Sequence, residues 1–137
     1  MLFLYIREVL CRARPSIERQ GERGVEIKTD EYSVLYQPDV STVAIQGFLR
    51  LDGMEEYQPI IRLLLAASET SPTLTIDVQG LEFLNSSGIS SLSMFVVKVR
   101  EKGTVQLALK GSTKVLWQTK SLKNLQRLMP SLTLEYV

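Results

Sequence analysis

Not one histidine occurs among the 137 residues. That removes the Ser-His-Asp and Cys-His nucleophile systems and any histidine phosphotransfer site. Zinc centres built from cysteine and histidine go with them. Cysteine is nearly absent too. Cys11 is the single example, so no disulfide framework forms within one chain, and a reducing, cytoplasmic setting is expected. Long apolar runs are missing. The stretch 1–6 is apolar but Arg7 and Glu8 close it, far short of a bilayer span. It also lacks the basic start and small-residue cleavage site of a signal peptide. No glycine-rich phosphate loop is present. Gly111-Ser112-Thr113-Lys114 lacks the upstream glycine and spacing of one and reads as a strand-to-helix turn. Paired carboxylates at a catalytic spacing are lacking as well. Glu55 and Glu56 are adjacent in sequence and diverge on a helix, which suits a solvated helix start. Together these absences argue against an enzyme and leave no cofactor or metal to expect.

What is present suits one ordinary globular domain, long enough to bury a core of its own. Net charge is +1, but it is unevenly spread. Residues 29–97 hold nine acids and two bases, a net of −7. Residues 98–127 hold eight bases and one acid, a net of +7. The bases lie along two helices and a strand end without interleaved aromatics. That pattern favours a solvated or protein-steering surface over nucleic acid.

Residues 12–28 are charged and carry Pro15, Gly21 and Gly24. The segment 1–28 therefore reads as a mobile arm, with Leu2, Ile6, Val9 and Leu10 able to form one face of a short helix. The domain itself should run over 29–137. Strands are expected at 32–37 and 42–51, with Gly47 as a bulge. A helix follows over 54–68, where Ile60, Ile61, Leu64 and Leu65 share a side and Pro59 must lie near the start. A short apolar strand is expected at 74–78, a tight loop at 80–84, and a helix over 86–102 stopped by Gly103. A strand at 105–109, a helix over 114–129 with a break near Lys120-Ser121, and a last strand through Leu132, Leu134 and Tyr136 complete the order. The alternation implies an α/β domain: a mixed β-sheet of about five strands with three to four helices packed on it.

Asn85-Ser86-Ser87-Gly88 stands where the strand-loop unit hands over to the 86–102 helix. A helix N-terminus offers free N–H groups and the positive end of the macrodipole, a setting in which a phosphoserine is well tolerated. Asn and Ser are equally the usual residues for capping a helix. Projected at 100° per residue, Ile89, Leu92, Phe95, Val96 and Val99 face the core. Ser86, Ser90, Ser93, Met94, Val97 and Glu101 gather opposite. Ser90, Met94 and Val97 are thus the expected partner-binding flank below the serines.

The run from Leu74 through Asp77-Val78-Gln79-Gly80-Leu81-Glu82-Phe83-Leu84 to Asn85-Ser86-Ser87-Gly88-Ile89 resembles the signature of STAS domains, which include the bacterial anti-sigma-factor antagonists. The likeness extends from about residue 31 to 137, and short stand-alone cyanobacterial regulators look similar. The family's usual Asp before the two hydroxyl residues is Asn85 here. The resemblance implies a STAS-like fold and a cytoplasmic, non-enzymatic regulator. Ser86 falls at the phosphorylated position, with Ser87 as the fallback, while Asn85 and Gly88 form the cap and loop. The implied partners are a serine kinase or anti-sigma factor of histidine-kinase-like ATPase fold and a metal-dependent phosphatase that resets the serine. Neither nucleic acid nor membrane insertion is implied. The alternative is a constitutive STAS-type interaction subunit of a transporter or other complex, in which Ser86 is only a cap.

Overall fold

The protein is described by a computed structural model covering residues 16–19 and 25–137. An eight-stranded mixed sheet forms the platform. β1 (Ser16–Arg19), β2 (Val25–Lys28), β3 (Tyr32–Gln37) and β4 (Thr42–Leu49) form an antiparallel meander. β5 (Thr73–Asp77), β7 (Gln106–Gly111) and β8 (Thr133–Tyr136) then extend the sheet in parallel from β4. β6 (Leu81–Leu84) pairs with the far end of β4, beyond β5. Three helices, α1 (Gly53–Glu69), α2 (Ser86–Lys102) and α3 (Leu116–Leu128), make the crossovers between parallel strands.

Every crossover steps the same way along the sheet, and right-handed connections therefore stack all three helices on one face. Burial records the result. Val25, Ile27, Val34, Tyr36, Val43, Ile45, Leu74, Ile76, Leu107 and Leu109 point into one core and are fully buried. Their neighbours Ser33, Leu35, Ala44, Gln46, Thr75 and Ala108 face the other way and keep some exposure. The helices answer with Ile60, Ile61 and Leu64 from α1, Leu92, Phe95, Val96 and Val99 from α2, and Leu122 and Leu125 from α3.

The fold class agrees with expectation; the sheet is larger than the five strands expected. Val25–Lys28, assigned to the mobile arm, is strand β2, paired in register with β3. Its Val25 and Ile27 are 1% and 0% exposed. Charged neighbours in sequence disguise it, because Glu26 and Lys28 occupy the open face and leave only two apolar residues to carry the signal. Ser16–Arg19 pairs with β2 in turn. The short helix considered for Leu2 to Leu10 falls outside the described residues. Residues 81–84, expected as a loop, form β6. Gly47 makes this possible: the register against β6 shifts between Gly47 and Phe48. With φ at +95°, any Cβ at Gly47 would strike the Glu31 carbonyl oxygen. The bulge expected at that glycine is therefore present.

The helices lie close to expectation. Pro59 is inside the second turn of α1, where the missing N–H costs one internal hydrogen bond. Gly103 ends α2 in the left-handed conformation, φ +68°, and donates its N–H to the Val99 carbonyl. α3 is continuous through Lys120 and Ser121 rather than broken there, with Gln118 and Leu122 buried on either side of the turn.

Candidate functional site

All three helices begin at one rim of the sheet, the rim where the parallel strands end. Ser86 is the first residue of α2 and stands on this rim, exposed. Ser87 beside it is half-buried, and neither hydroxyl has a hydrogen-bond partner among the described residues.

The cap of α2 belongs to Asn85 alone. Its Oδ1 accepts from the Gly88 N–H at 3.0 Å and lies 2.6 Å from the Tyr57 hydroxyl. Its Nδ2 donates to the Leu51 carbonyl at 2.9 Å. Two donors converge on one end of the amide and an acceptor meets the other, so the partners fix its orientation. The Tyr57 hydroxyl also lies 3.1 Å from the Leu49 carbonyl and donates between these two oxygens. Burial holds Tyr57 above its ordinary pKa of 10.0. A single side chain thus ties the start of α2 to α1 and to the end of β4. The first N–H groups of the helix, those of Ser86 and Ser87, carry no partner among the described residues.

An amide at position 85 is required by this arrangement. A carboxylate there would satisfy Gly88 and Tyr57 but would turn an oxygen toward the Leu51 carbonyl. The amide at Asn85 thereby has a local physical reason. Gly88 is equally constrained. A Cβ at that position would collide with Leu84 Cδ1 and come within 2.8 Å of Tyr57 Oη. The glycine lets α2 descend onto α1.

Of the expected partner-facing residues, Ser90 is exposed, Met94 is 50% exposed and Val97 is half-buried. Ser93 turns its hydroxyl back to the Ile89 carbonyl, and Ser91, fully buried, does the same to Ser87. Ile89, expected to face the core, is only half-buried.

Sequence periodicity missed a second apolar group. Phe48 and Phe83 are direct neighbours across the β4–β6 pair, and both are about two-fifths exposed. The Arg50 guanidinium lies 5.4 Å over the Phe48 ring and pairs with Glu31 at 2.6 Å. Met54 and Leu116, the latter 70% exposed, begin α1 and α3 on the same rim. Only the bulge and the pairing of β6 bring Phe48 and Phe83 together, and neither is written in the spacing of either segment. Trp117, read as core, packs against it partly buried and donates its indole N–H to the Leu81 carbonyl at 2.9 Å.

Among the described residues no group of histidine, cysteine or carboxylate side chains could hold a metal ion. No described helix is long and apolar enough to cross a membrane.

No family model matches the sequence, and no curated relative does. Solved structures do share the fold. Apo-SiaC from Pseudomonas aeruginosa is similar with a TM-score of 0.63 at 12% identity, over 82% of this chain and 97% of that one. A chain from the complex of diguanylate cyclase SiaD with its activator SiaC, from the same organism, gives 0.62 at 12% identity, over 82% and 98%. An anti-sigma factor antagonist from Mycobacterium paratuberculosis gives 0.50 at 22% identity, over 86% of each chain. The architecture described above is therefore a STAS-type fold, an α/β domain shared with proteins that regulate by binding.

Proposed function

We propose that the chain is a non-enzymatic regulatory module that binds a protein partner over the rim bearing Ser86, and that phosphorylation of Ser86 switches the binding. The observation that carries this reading is the division of labour at the start of α2. Asn85 supplies the cap, while the Ser86 hydroxyl is exposed and free. Ser86 is thus available for modification without cost to the helix. Phosphorylation adds roughly two negative charges and three acceptor oxygens. The unpartnered N–H groups of Ser86 and Ser87 and the positive helix end suit that charge. A partner pressed on the apolar rim of Phe48, Phe83, Met54 and Leu116, or on Ser90, Met94 and Val97 along α2, must instead desolvate it. A penalty of about 3–4 kcal/mol weakens binding several-hundredfold, since about 1.4 kcal/mol is tenfold. Ser87, less exposed, is the second candidate.

By its resemblance, the partner is a serine kinase or anti-sigma factor with a histidine-kinase-like ATPase fold, and a metal-dependent phosphatase restores Ser86. The likeness to SiaC, named as activator of a diguanylate cyclase, supports a second kind of partner, an enzyme that the module binds; in the alternative reading the module is a constitutive subunit and Ser86 is only a cap.

Affinity capture from native lysate, with Ser86→Asp as matched control, tests this. The expected result is an ATPase-fold partner held by the wild type and lost by Ser86→Asp, with the melting temperature of the two within about a degree, since an exposed substitution changes stability by less than about 0.5 kcal/mol. The same partner held equally by both forms overturns the switch and leaves the constitutive module.

A further inference from the structure

We infer that the free edge of β8 and the groove beside it form a second docking site, one that takes an extended acidic peptide by strand addition. Among the described residues β8 ends the sheet: β7 lies on one side and no strand on the other. The Val137 N–H donates back to the Gly111 carbonyl on β7. By the alternation of a strand, Thr133 and Glu135 direct their peptide groups the same way, toward β7. The N–H and C=O of Leu134 and Tyr136 therefore point outward, spaced to receive one more strand.

The face of this edge turned toward α3 is a groove of about 580 Å³, lined by Lys123, Gln126, Arg127, Pro130, Leu134 and Tyr136. Leu134 and Tyr136 give it an apolar floor, each half-buried. Gln126 is occupied, donating to the Leu132 carbonyl at 3.2 Å. Lys123 and Arg127 are exposed and have no ion-pair partner among the described residues, whereas Lys102 of this half pairs with Glu69 and Arg100 donates to the Leu128 carbonyl. No acid lines the groove. Two unpaired cations along one side of an open strand edge select carboxylates on alternate residues of an incoming strand. The methylene stems of those carboxylate side chains lie over Leu134 and Tyr136 on the same face, and the residues between them turn to the other face of the sheet. A nucleic acid would use the cations but not the row of outward backbone groups.

The site lies apart from Ser86 and does not depend on its modification. The probe is a fluorescein-labelled synthetic peptide of alternating glutamate and valine, titrated into the full chain at low salt, with a lysine-for-glutamate version as its counterpart. The acidic peptide should bind at least tenfold more tightly than the basic one and weaken as salt is raised. It should slow amide exchange at Leu134 and Tyr136. The double variant K123E/R127E, both positions solvent-exposed, should keep the native circular dichroism and lose about tenfold in affinity, the worth of two exposed ion pairs. Ser86→Asp should bind the peptide as the wild type does, which separates this site from the switch. Equal binding of the two peptides, binding of neither, exchange protection away from β8, or displacement of the acidic peptide by a tighter-binding single-stranded oligonucleotide would each overturn the assignment.

Discussion

Asn85 has three neighbours that an aspartate could not all satisfy, and this residue decides how the helix start behaves. Asn85→Asp keeps the cap bond to Gly88 and gains from the helix dipole. It loses the bond to Leu51 and sets an anionic oxygen against that carbonyl. The second effect is larger because the site is half-buried and the acceptor is left unpaired. The expected net loss is about 1–2 kcal/mol, read as a lower urea midpoint with an unchanged m-value. Asn85→Ala should cost a similar amount by removing the cap itself. Ser86→Ala should be neutral within about 0.5 kcal/mol. A loss at Ser86 as large as that at Asn85 would assign the cap to the serine after all. The motif Asn85-Ser86-Ser87-Gly88 was legible in the sequence as a helix start. Which of its residues caps was not, because Asn and Ser are nearly equal in that role and only the positions of Tyr57 and Leu51 separate them.

At the scale of elements, the junction of α1 and α2 is built on one hydroxyl. Tyr57 is 2% exposed and its hydroxyl sits between the Leu49 carbonyl and Asn85. Burial chiefly raises its pKa above 10.0, and Tyr32 nearby adds to the shift. Tyr32 is itself raised by burial and by the Glu56 charge. A group whose folded pKa exceeds its unfolded value contributes stability that is fully present below the unfolded value and is lost as pH climbs through the folded one. The protein should accordingly hold constant stability from these groups up to about pH 10 and lose it above. Tyr57→Phe should be less stable than the wild type at pH 7 by about 1–2 kcal/mol. That gap should narrow above pH 10, as the wild type begins to lose what the variant lacks. Denaturant midpoints measured across pH 7 to about 11 follow it; a gap that stays constant would show that Tyr57 titrates no differently folded than unfolded. The helices of this junction were legible because a 3.6-residue period persists over four turns or more in α1 and α2. The four-residue strands β2 and β6 were not, since four residues give a period of two almost no room to repeat.

Over the whole molecule, two of the three strands not expected from the sequence, β2 and β6, enlarge the sheet at different places. β6 carries Phe83 to Phe48 and so enlarges the apolar part of the rim around Ser86. β2 closes the core. Without it β3 would be left with one edge open, and Val34 and Tyr36 would lose neighbours on the core face. If 25–28 were a mobile arm, any substitution there would be silent. In the sheet, Ile27 is fully buried and Lys28 exposed, one residue apart. Ile27→Ala should then cost about 2–5 kcal/mol through lost transfer energy and the cavity left behind. Lys28→Ala should change stability by less than about 0.5 kcal/mol. The contrast between adjacent positions is the test, since a loose segment cannot tell them apart whereas a pleated strand must. Equal, small effects at both would return residues 25–28 to the arm. A large loss confined to Ile27 would place the lower boundary of the cooperative unit at or before Val25. The rim bearing Ser86 would then rest on a sheet braced from its antiparallel side.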